Sequence, residues 1–212
     1  MPNFEAETTE GKIKFNDWQG NSWGVLFSHP RDFTPVCTTE LGQVTKRAPE
    51  FEKRGCKLIA LSCDGVEDHL AWSEDVMSFM GCNGKRLPYP IIADPDREIA
   101  KMLGMIDPDE KDPSGMPLTC RAVFVVGPDH KLKLSILYPA TTGRNFDEIL
   151  RVIDSLQLTA TKKVATPVDW TPGKPAMVIP SLSPEEAKKM FPKHEVRTVP
   201  SGKGYLRFTP DY

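Results

Sequence analysis

Short apolar runs alternate with segments of helical periodicity up to about Leu158. The apolar runs predict five strands, at 23–28, 57–62, 90–93, 121–126 and 131–137. Apolar residues spaced three or four positions apart predict helices at 38–53, from about Asp64, at 97–103 and from Phe146 to Leu156. Asp64 and Glu67 further predict a capped helix start, and the turn residues at 127–130 predict a hairpin. This order of elements predicts an α/β fold in which helices flank a mixed central sheet.

The residue pattern of the chain changes after Thr159, where prolines at 167, 172, 175, 180 and 184 separate short segments. Ser183-Pro-Glu-Glu186 predicts a helix start, and 205–208 predicts a strand. We therefore predict two domains, at 1–159 and 160–212, the second being a small α+β extension. A segment this short buries little core by itself, so we expect it to pack on its own body or on a second subunit.

Charge and composition exclude several classes of protein. With a net charge of −2 and a pI near 6.1, the chain lacks the basic excess that binds nucleic acid or anionic membranes. Its first residues do not form a signal peptide, and no apolar run approaches the roughly 18 residues of a membrane span. We expect a cytoplasmic protein that has no nucleic-acid partner and no integral membrane association.

The number and spacing of the cysteines indicate a reducing compartment and do not indicate a metal site. There are five, at positions 37, 56, 63, 82 and 120, and an odd, scattered set is unlike a secreted disulfide framework. The chain has no C-x-x-C, and its four histidines do not pair with cysteines at zinc-binding spacing. A structural metal site is not expected.

Cys37 has the context of a reactive thiol. Pro30 and Pro35 end the strand predicted at 23–28, which leaves Cys37 at the start of the next helix. Free backbone N–H groups and the positive end of the helix dipole favour the thiolate there, and the thiolate is the reactive form.

The other cysteines have contexts of a different kind. Cys56, Cys63 and Cys120 border predicted strands, where cysteine commonly acts as a small apolar side chain. Cys82 lies in a polar loop without evident partners to activate it.

Three sequence blocks resemble the peroxiredoxins, which are thiol peroxidases. The pattern Pro30-x-x-x-Thr34-x-x-Cys37 is similar to their active-site signature. With its surroundings at 26–42, and with 138–146 and 165–170, it resembles the one-cysteine, peroxiredoxin-6-like branch over essentially the whole chain. The resemblance implies a thioredoxin-like fold and reduction of hydrogen peroxide and organic hydroperoxides, with phospholipid hydroperoxides among the candidates. It implies no metal, flavin or haem cofactor, because the cysteine itself carries the redox chemistry.

The resemblance also implies roles for individual residues. Cys37 would attack one peroxide oxygen and become a sulfenic acid. The Thr34 hydroxyl would hydrogen-bond the thiolate and the peroxide, and Pro30 would shield the pocket from water. Arg121 would stabilise the thiolate and the charge that develops on the two oxygens.

Three further residues match supporting positions of the family. Glu40 and Arg144 would orient that arginine through ion pairs, and His29 would lie beside the pocket. From the residues alone, His29 is as consistent with a structural role as with a functional one, and a role only toward the helix dipole stays open for Glu40 in the first turn of a helix.

The cysteine positions predict how the sulfenic acid is reduced. No cysteine follows Cys120, and the residue five places after Cys37 is Gly42, so two resolving arrangements of two-cysteine relatives are missing. Cys82 stays open as an atypical resolving cysteine. We predict a one-cysteine cycle that uses an external thiol reductant, glutathione delivered by a transferase being one candidate, in a protein that forms homodimers.

Two other functions stay open. Ser22 lies in a G-x-S-x-G pattern, which in serine hydrolases follows a strand, whereas here the strand comes after the serine. The related branch is credited with phospholipase A2 activity at this serine, an aspartate matched by Asp129 and a histidine whose position here is Asn16. Without that base, the serine lacks an activating partner. A non-enzymatic role as a redox relay or holdase is the other alternative.

Overall fold

The computed structural model describes residues 1–212 as two compact units, Met1–Phe146 and Asp147–Tyr212. The contact boundary falls at the start of the helix Phe146–Thr161, whereas the domain boundary predicted at 159/160 falls near the end of that helix. Whether 1–159 and 160–212 behave as separate domains stays a prediction.

The first unit is built on one mixed sheet. In chain order its elements are β1 (Glu5–Thr8), β2 (Ile13–Lys14), α1 (Phe15–Gln19), β3 (Trp23–Ser28), α2 (Pro35–Glu52), β4 (Cys56–Ser62), α3 (Val66–Phe79), β5 (Ile91–Ala93), α4 (Glu98–Met102), β6 (Ile106–Lys111), β7 (Pro117–Thr119), β8 (Arg121–Val126) and β9 (Leu132–Tyr138). The sheet has the order β2-β1-β5-β4-β3-β8-β9, and β6 pairs separately with β7. Strands β3, β4 and β5 are parallel, while β8 is antiparallel to both β3 and β9. The predicted mixed sheet and hairpin are confirmed.

The central strands are apolar because both of their faces are covered. Every residue of β8 is buried, as are all but one residue in each of β3 and β4. Side chains such as Leu26, Ile59 and Ala122 are fully buried and belong to one apolar cluster of the core. Continuous apolar runs of this kind are typical of parallel strands between helical layers.

Helix α2 begins three residues before the predicted position. Pro35 occupies the first helical position, where its fixed φ suits the helix and its missing N–H removes no hydrogen bond. Thr34 is the N-cap, and its side chain makes no capping bond. Cys37 therefore lies in the first turn of the helix, as the sequence predicted.

The predicted capped start at Asp64 and Glu67 is wrong. Helix α3 begins at Val66, and its N-cap Gly65 offers no side chain. The Asp64 carboxylate instead accepts hydrogen bonds from the Ser62 hydroxyl at 2.7 Å and the Asp32 amide at 2.9 Å. These bonds tie Asp64 to the preceding loops, so it cannot cap the helix.

The second unit combines helices with a small antiparallel sheet. Its elements are α5 (Phe146–Thr161), β10 (Val164–Ala165), β11 (Ala176–Val178), α6 (Pro184–Met190), β12 (Glu195–Val196) and β13 (Arg207–Thr209), with the strand order β10-β11-β13-β12. The predicted α+β character is confirmed, and Ser183 and Glu186 form the predicted capping box of α6. The last strand starts two residues later than predicted. None of the helices in either unit combines the length and apolarity that a bilayer crossing needs.

Candidate active site

The buried side chain of Cys37 lies just beyond the carboxyl end of β3. The edge of a sheet at the carboxyl ends of its parallel strands is where α/β proteins commonly bind ligands. The loop between β3 and α2 brings Pro30 and Thr34 to the same edge. The sheet register adds Arg121, because Phe27 of β3 pairs with Val123 and the start of β8 therefore lies beside the end of β3.

Arg121 is the polar partner of the Cys37 sulfur. Its Nη1 donates to Cys37 Sγ at 3.3 Å and to Glu40 Oε2 at 2.8 Å. Nε and Nη2 both donate to the Ala140 carbonyl, at 2.9 and 2.6 Å, so the guanidinium plane is held from two sides. A buried cation within hydrogen-bond distance of sulfur favours the thiolate.

Glu40 joins two buried arginines. Arg144 donates through Nε to Glu40 Oε1 at 3.0 Å and through Nη2 to Oε2 at 2.7 Å, while its backbone N–H also donates to Oε1. Burial alone would raise the pKa of Glu40, but the charge and hydrogen bonds of Arg144, followed by the charge of Arg121, lower it. The structure thus brings Cys37, Glu40, Arg121 and Arg144 together in one hydrogen-bonded network.

The Thr34 hydroxyl has a different partner from the expected one. It donates to the Arg31 carbonyl at 2.7 Å, so its proton points along the loop rather than to sulfur. Its bond to a thiolate or peroxide stays a prediction. Pro30 is buried at the end of β3, a position that suits the predicted role of shielding the pocket.

His29 belongs to a buried polar cluster that sequence reasoning missed. Its Nε2 lies 2.7 Å from Asp32 Oδ1, and Asp32 Oδ2 lies 2.6 Å from His69 Nδ1. Burial would raise the pKa of Asp32, but the hydrogen bonds from His29 and His69 outweigh it and lower the pKa to about 2. In the sequence, Asp32 resembles an ordinary turn residue and His69 lies on a separate helix, so neither signals the cluster.

The cluster also contains the one group of potential metal ligands at this edge, His29, Asp32 and Asp64, whose ligand atoms lie within 4.8 Å of one another. Each of these side chains already has a protein partner: the Asp32 oxygens accept from two imidazoles, and Asp64 accepts from Ser62. The Asp32 oxygens, the Asp64 carboxylate and His29 Nε2 are therefore already engaged within the protein.

The remaining cysteines lie outside this network. Cys56, Cys63 and Cys120 are buried, as expected of small core residues. Burial raises the pKa of Cys63 to about 11 and also raises the pKa of Cys120, which keeps both thiols protonated. Cys82 is half-buried, and its thiol contacts the Met80 carbonyl at 3.9 Å.

The hydrolase residues are not arranged as a serine hydrolase site. Ser22 follows helix α1 and precedes β3, the reverse of a nucleophile elbow. Asp129 is exposed and forms an ion pair with Lys133 at 2.7 Å. At the position of the expected histidine, the Asn16 Oδ1 atom is buried without a hydrogen-bond partner.

Comparisons with known proteins cover both units. The model of the AhpC/TSA family matches residues 1–135, and the model of the C-terminal domain of 1-Cys peroxiredoxin matches residues 155–194. Peroxiredoxin-6 of Gallus gallus is 68% identical over 211 residues, and that of Homo sapiens 66% over 212, each alignment covering 99% of this chain and 94% of the relative.

Solved structures are similarly close. A cysteine-to-serine mutant of the peroxiredoxin 6 of Arenicola marina has a TM-score of 0.98 at 70% identity, covering 100% of this chain and 96% of that one. A yeast mitochondrial 1-Cys peroxiredoxin, described as resolved through glutathione/thioredoxin systems, has a TM-score of 0.88 at 47% identity, covering 98% and 95%.

Proposed function

The chain belongs to the peroxiredoxin family, with its thioredoxin-like fold and thiol-dependent peroxidase activity, and we propose that Cys37 is the residue that reacts with the peroxide. The observation that carries this assignment is the 3.3 Å contact between Cys37 Sγ and Arg121 Nη1. The donor is a buried arginine nitrogen, which places a cation directly against the Cys37 sulfur.

The proposed reaction begins with attack of the Cys37 thiolate on one oxygen of the hydroperoxide. The S–O bond forms as the O–O bond breaks, which gives a sulfenic acid and an alkoxide or hydroxide that takes a proton. Negative charge grows on the leaving oxygen, and the Arg121 guanidinium stabilises it without reorganising, because Glu40 and the Ala140 carbonyl already hold it. Thr34 and Pro30 complete the proposed pocket, and His29 lies at its edge.

An external thiol closes the proposed cycle. One thiol attacks the sulfenic sulfur, releases water and forms a mixed disulfide, and a second thiol then restores Cys37 and leaves as a disulfide. The absence of cysteine after Cys120 and the glycine at position 42 support this one-cysteine route. Glutathione delivered by a transferase is the proposed reductant, which agrees with the glutathione/thioredoxin systems described for the yeast relative.

Peroxide consumption by single-cysteine variants tests this proposal. We expect Cys37→Ser to abolish turnover with added thiol, and Cys82→Ser, the matched control, to keep it. Mass spectrometry after one equivalent of peroxide should find the oxidation on Cys37 as a sulfenic acid or glutathione adduct. A dominant Cys37–Cys82 disulfide would replace the external-thiol cycle with an intramolecular one. Holdase activity without peroxide turnover would instead support the non-enzymatic alternative.

A homodimer is also proposed, with residues 160–212 taking part. Strand β9 is the edge of the seven-stranded sheet and pairs only with β8, while Leu132 and Leu137 on it are 43% and 59% exposed. An edge strand that carries exposed apolar side chains and has no partner on its outer side is suited to pairing with a second copy of the chain. Sedimentation should give a dimer for the wild type and a monomer for Leu137→Lys, whereas Met116→Lys on another surface should stay dimeric.

We propose that the protein acts in the cytosol, with support from its five cysteines, which form no disulfide with one another. Fractionation of cells that express the full chain tests this location, and recovery in a secreted or organellar fraction would contradict it.

A further inference from the structure

The cluster of His29, Asp32 and His69 takes no part in the chemistry proposed above, yet His29 and Asp32 lie in the loop that leads to Cys37. The two rings are completely buried, and Asp32 is 2% exposed. Each carboxylate oxygen of Asp32 faces one imidazole nitrogen, at 2.7 Å for His29 Nε2 and at 2.6 Å for His69 Nδ1. Three buried polar side chains with such short contacts need a defined arrangement of protons.

The hydrogen-bond partners determine that arrangement. An ionised carboxylate and a backbone carbonyl can only accept hydrogen bonds. His69 faces the Asp32 carboxylate through Nδ1 and the Ile92 carbonyl through Nε2 at 3.2 Å, so donating to both acceptors takes a hydrogen on each of its nitrogens. His29 donates to Asp32 through Nε2, and its buried Nδ1 has no partner.

The same aspartate holds the backbone of the loop. The Asp32 amide donates to Asp64 Oδ2 at 2.9 Å, which joins the loop after β3 to the loop after β4. The next residue, Phe33, has φ of +54°, a left-handed conformation that a bulky L-residue rarely adopts. His69 lies on α3, so the Asp32 side chain also ties the loop to that helix. This conformation therefore depends on contacts that Asp32 makes in two directions.

We propose that Asp32 is a positioning residue of the peroxidase site. By holding His29 on one carboxylate oxygen and His69 on the other, it fixes the loop from His29 to Thr34 that presents Cys37. It also sets His29 as the Nε2–H tautomer, with the Nδ1 lone pair free. The kinetic effect expected from this proposal rests on the proposed function of Cys37. The expected proton arrangement does not depend on that function.

Replacing Asp32 by Asn tests whether the charge of the carboxylate, and not only its shape, is needed to position the loop and His29. An amide of the same size offers one acceptor and one donor, so one of the two rings must present a lone pair where it now presents an N–H. A comparable asparagine substitution in the serine protease triad leaves the geometry intact and lowers the rate through the wrong tautomer.

The first experiment is nitrogen NMR of histidine-labelled, reduced, full-length wild-type protein at neutral pH. We expect two protonated nitrogens on His69, and one protonated and one unprotonated nitrogen on His29. A neutral His69, or a cationic His29, would overturn the proposal. This measurement needs neither a variant nor activity, so it decides on the cluster even if Cys37 proves not to react with peroxide.

The second experiment is stopped-flow measurement of Cys37 oxidation across pH for Asp32→Asn and His69→Gln. We expect both variants to react roughly 10- to 100-fold more slowly than the wild type and to show an altered pH profile, because the proton arrangement changes. Asp75→Asn, an exposed acid on α3, is the matched control and should react at the wild-type rate. Folded Asp32→Asn protein with a wild-type rate and pH profile would refute the positioning role. If Asp32→Asn does not fold, His69→Gln and the NMR measurement still decide.

Discussion

Glu40 is the residue on which the charge balance of the site depends. Its single carboxylate faces two buried guanidinium groups, those of Arg121 and Arg144. Replacing Glu40 by Gln leaves both cations buried without a counter-charge, and removing one partner of a buried pair costs roughly 3–5 kcal/mol. We expect the free energy of unfolding in urea to fall by that amount. Glu50→Gln is the control, since its exposed pair with Lys53 contributes about 1 kcal/mol or less. Equal losses in the two variants would contradict this account of Glu40.

Arg121 acts through geometry as well as charge. Its three donor nitrogens contact Cys37, Glu40 and Ala140 together, and a lysine ammonium cannot reproduce that planar arrangement. Arg121→Lys should therefore lower the second-order rate constant for Cys37 oxidation by about 100-fold, the effect typical of losing an oriented donor. Arg31→Lys, a change of the same kind on the exposed side of the loop, should keep the wild-type rate. Competition with catalase for hydrogen peroxide measures both constants.

A residue of the site could be predicted only where local sequence context or a family motif marks it. Cys37 could be singled out from its helix start alone, while Arg121, Glu40 and Arg144 required the family resemblance. Asp32 could not be found, because its role arises from two histidines that are brought together only by tertiary structure. The Thr34 hydroxyl shows the same limit, since its bond to the Arg31 carbonyl depends on the loop conformation rather than on the motif.

At the scale of elements, the close approach of α2 and α3 depends on Gly42. A Cβ added at this position would overlap Cγ and Sδ of Met80, just beyond the end of α3. Gly42→Ala should lower the free energy of unfolding by roughly 1–3 kcal/mol, because overpacking outweighs the better helix propensity of alanine. In a double-mutant cycle, Met80→Ala should relieve much of that loss and give a coupling energy above about 0.5 kcal/mol. Strict additivity of the two changes would show that Met80 is not the obstacle.

Hydrophobic periodicity predicts which helices and strands form, but it predicts the residues at which they begin and end less well. The strands at 23–28 and 121–126 match the prediction because fully covered strands are continuously apolar. The predicted start of α2 is three residues late because no apolar periodicity marks Pro35, although proline suits the first helical position. The sequence predicts a cap at Asp64, but the Asp64 carboxylate instead accepts hydrogen bonds from the Ser62 hydroxyl and the Asp32 amide.

At the scale of the whole molecule, buried carboxylates link stability to acid pH. Hydrogen bonds from His29 and His69 lower the pKa of Asp32 to about 2 against the effect of burial. A pKa that is lower in the folded state contributes stability above the unfolded value of about 3.9, and this contribution is lost as the pH falls toward about 2. The pKa of Glu40 is lowered as well, and its contribution cancels in a comparison of wild type with a variant at position 32.

The free energy of unfolding of the wild type should therefore exceed that of Asp32→Asn at about pH 7, and the gap should narrow by about 2 kcal/mol between about pH 5 and pH 2. Urea unfolding curves followed by tryptophan fluorescence across this range measure the gap. Asp129→Asn is the control, because the exposed ion pair of Asp129 with Lys133 should give a small difference at every pH. A constant gap between wild type and Asp32→Asn would mean that the Asp32 carboxyl does not titrate with folding. The buried cluster of His29, Asp32 and His69 would then not be a source of pH-dependent stability for the molecule.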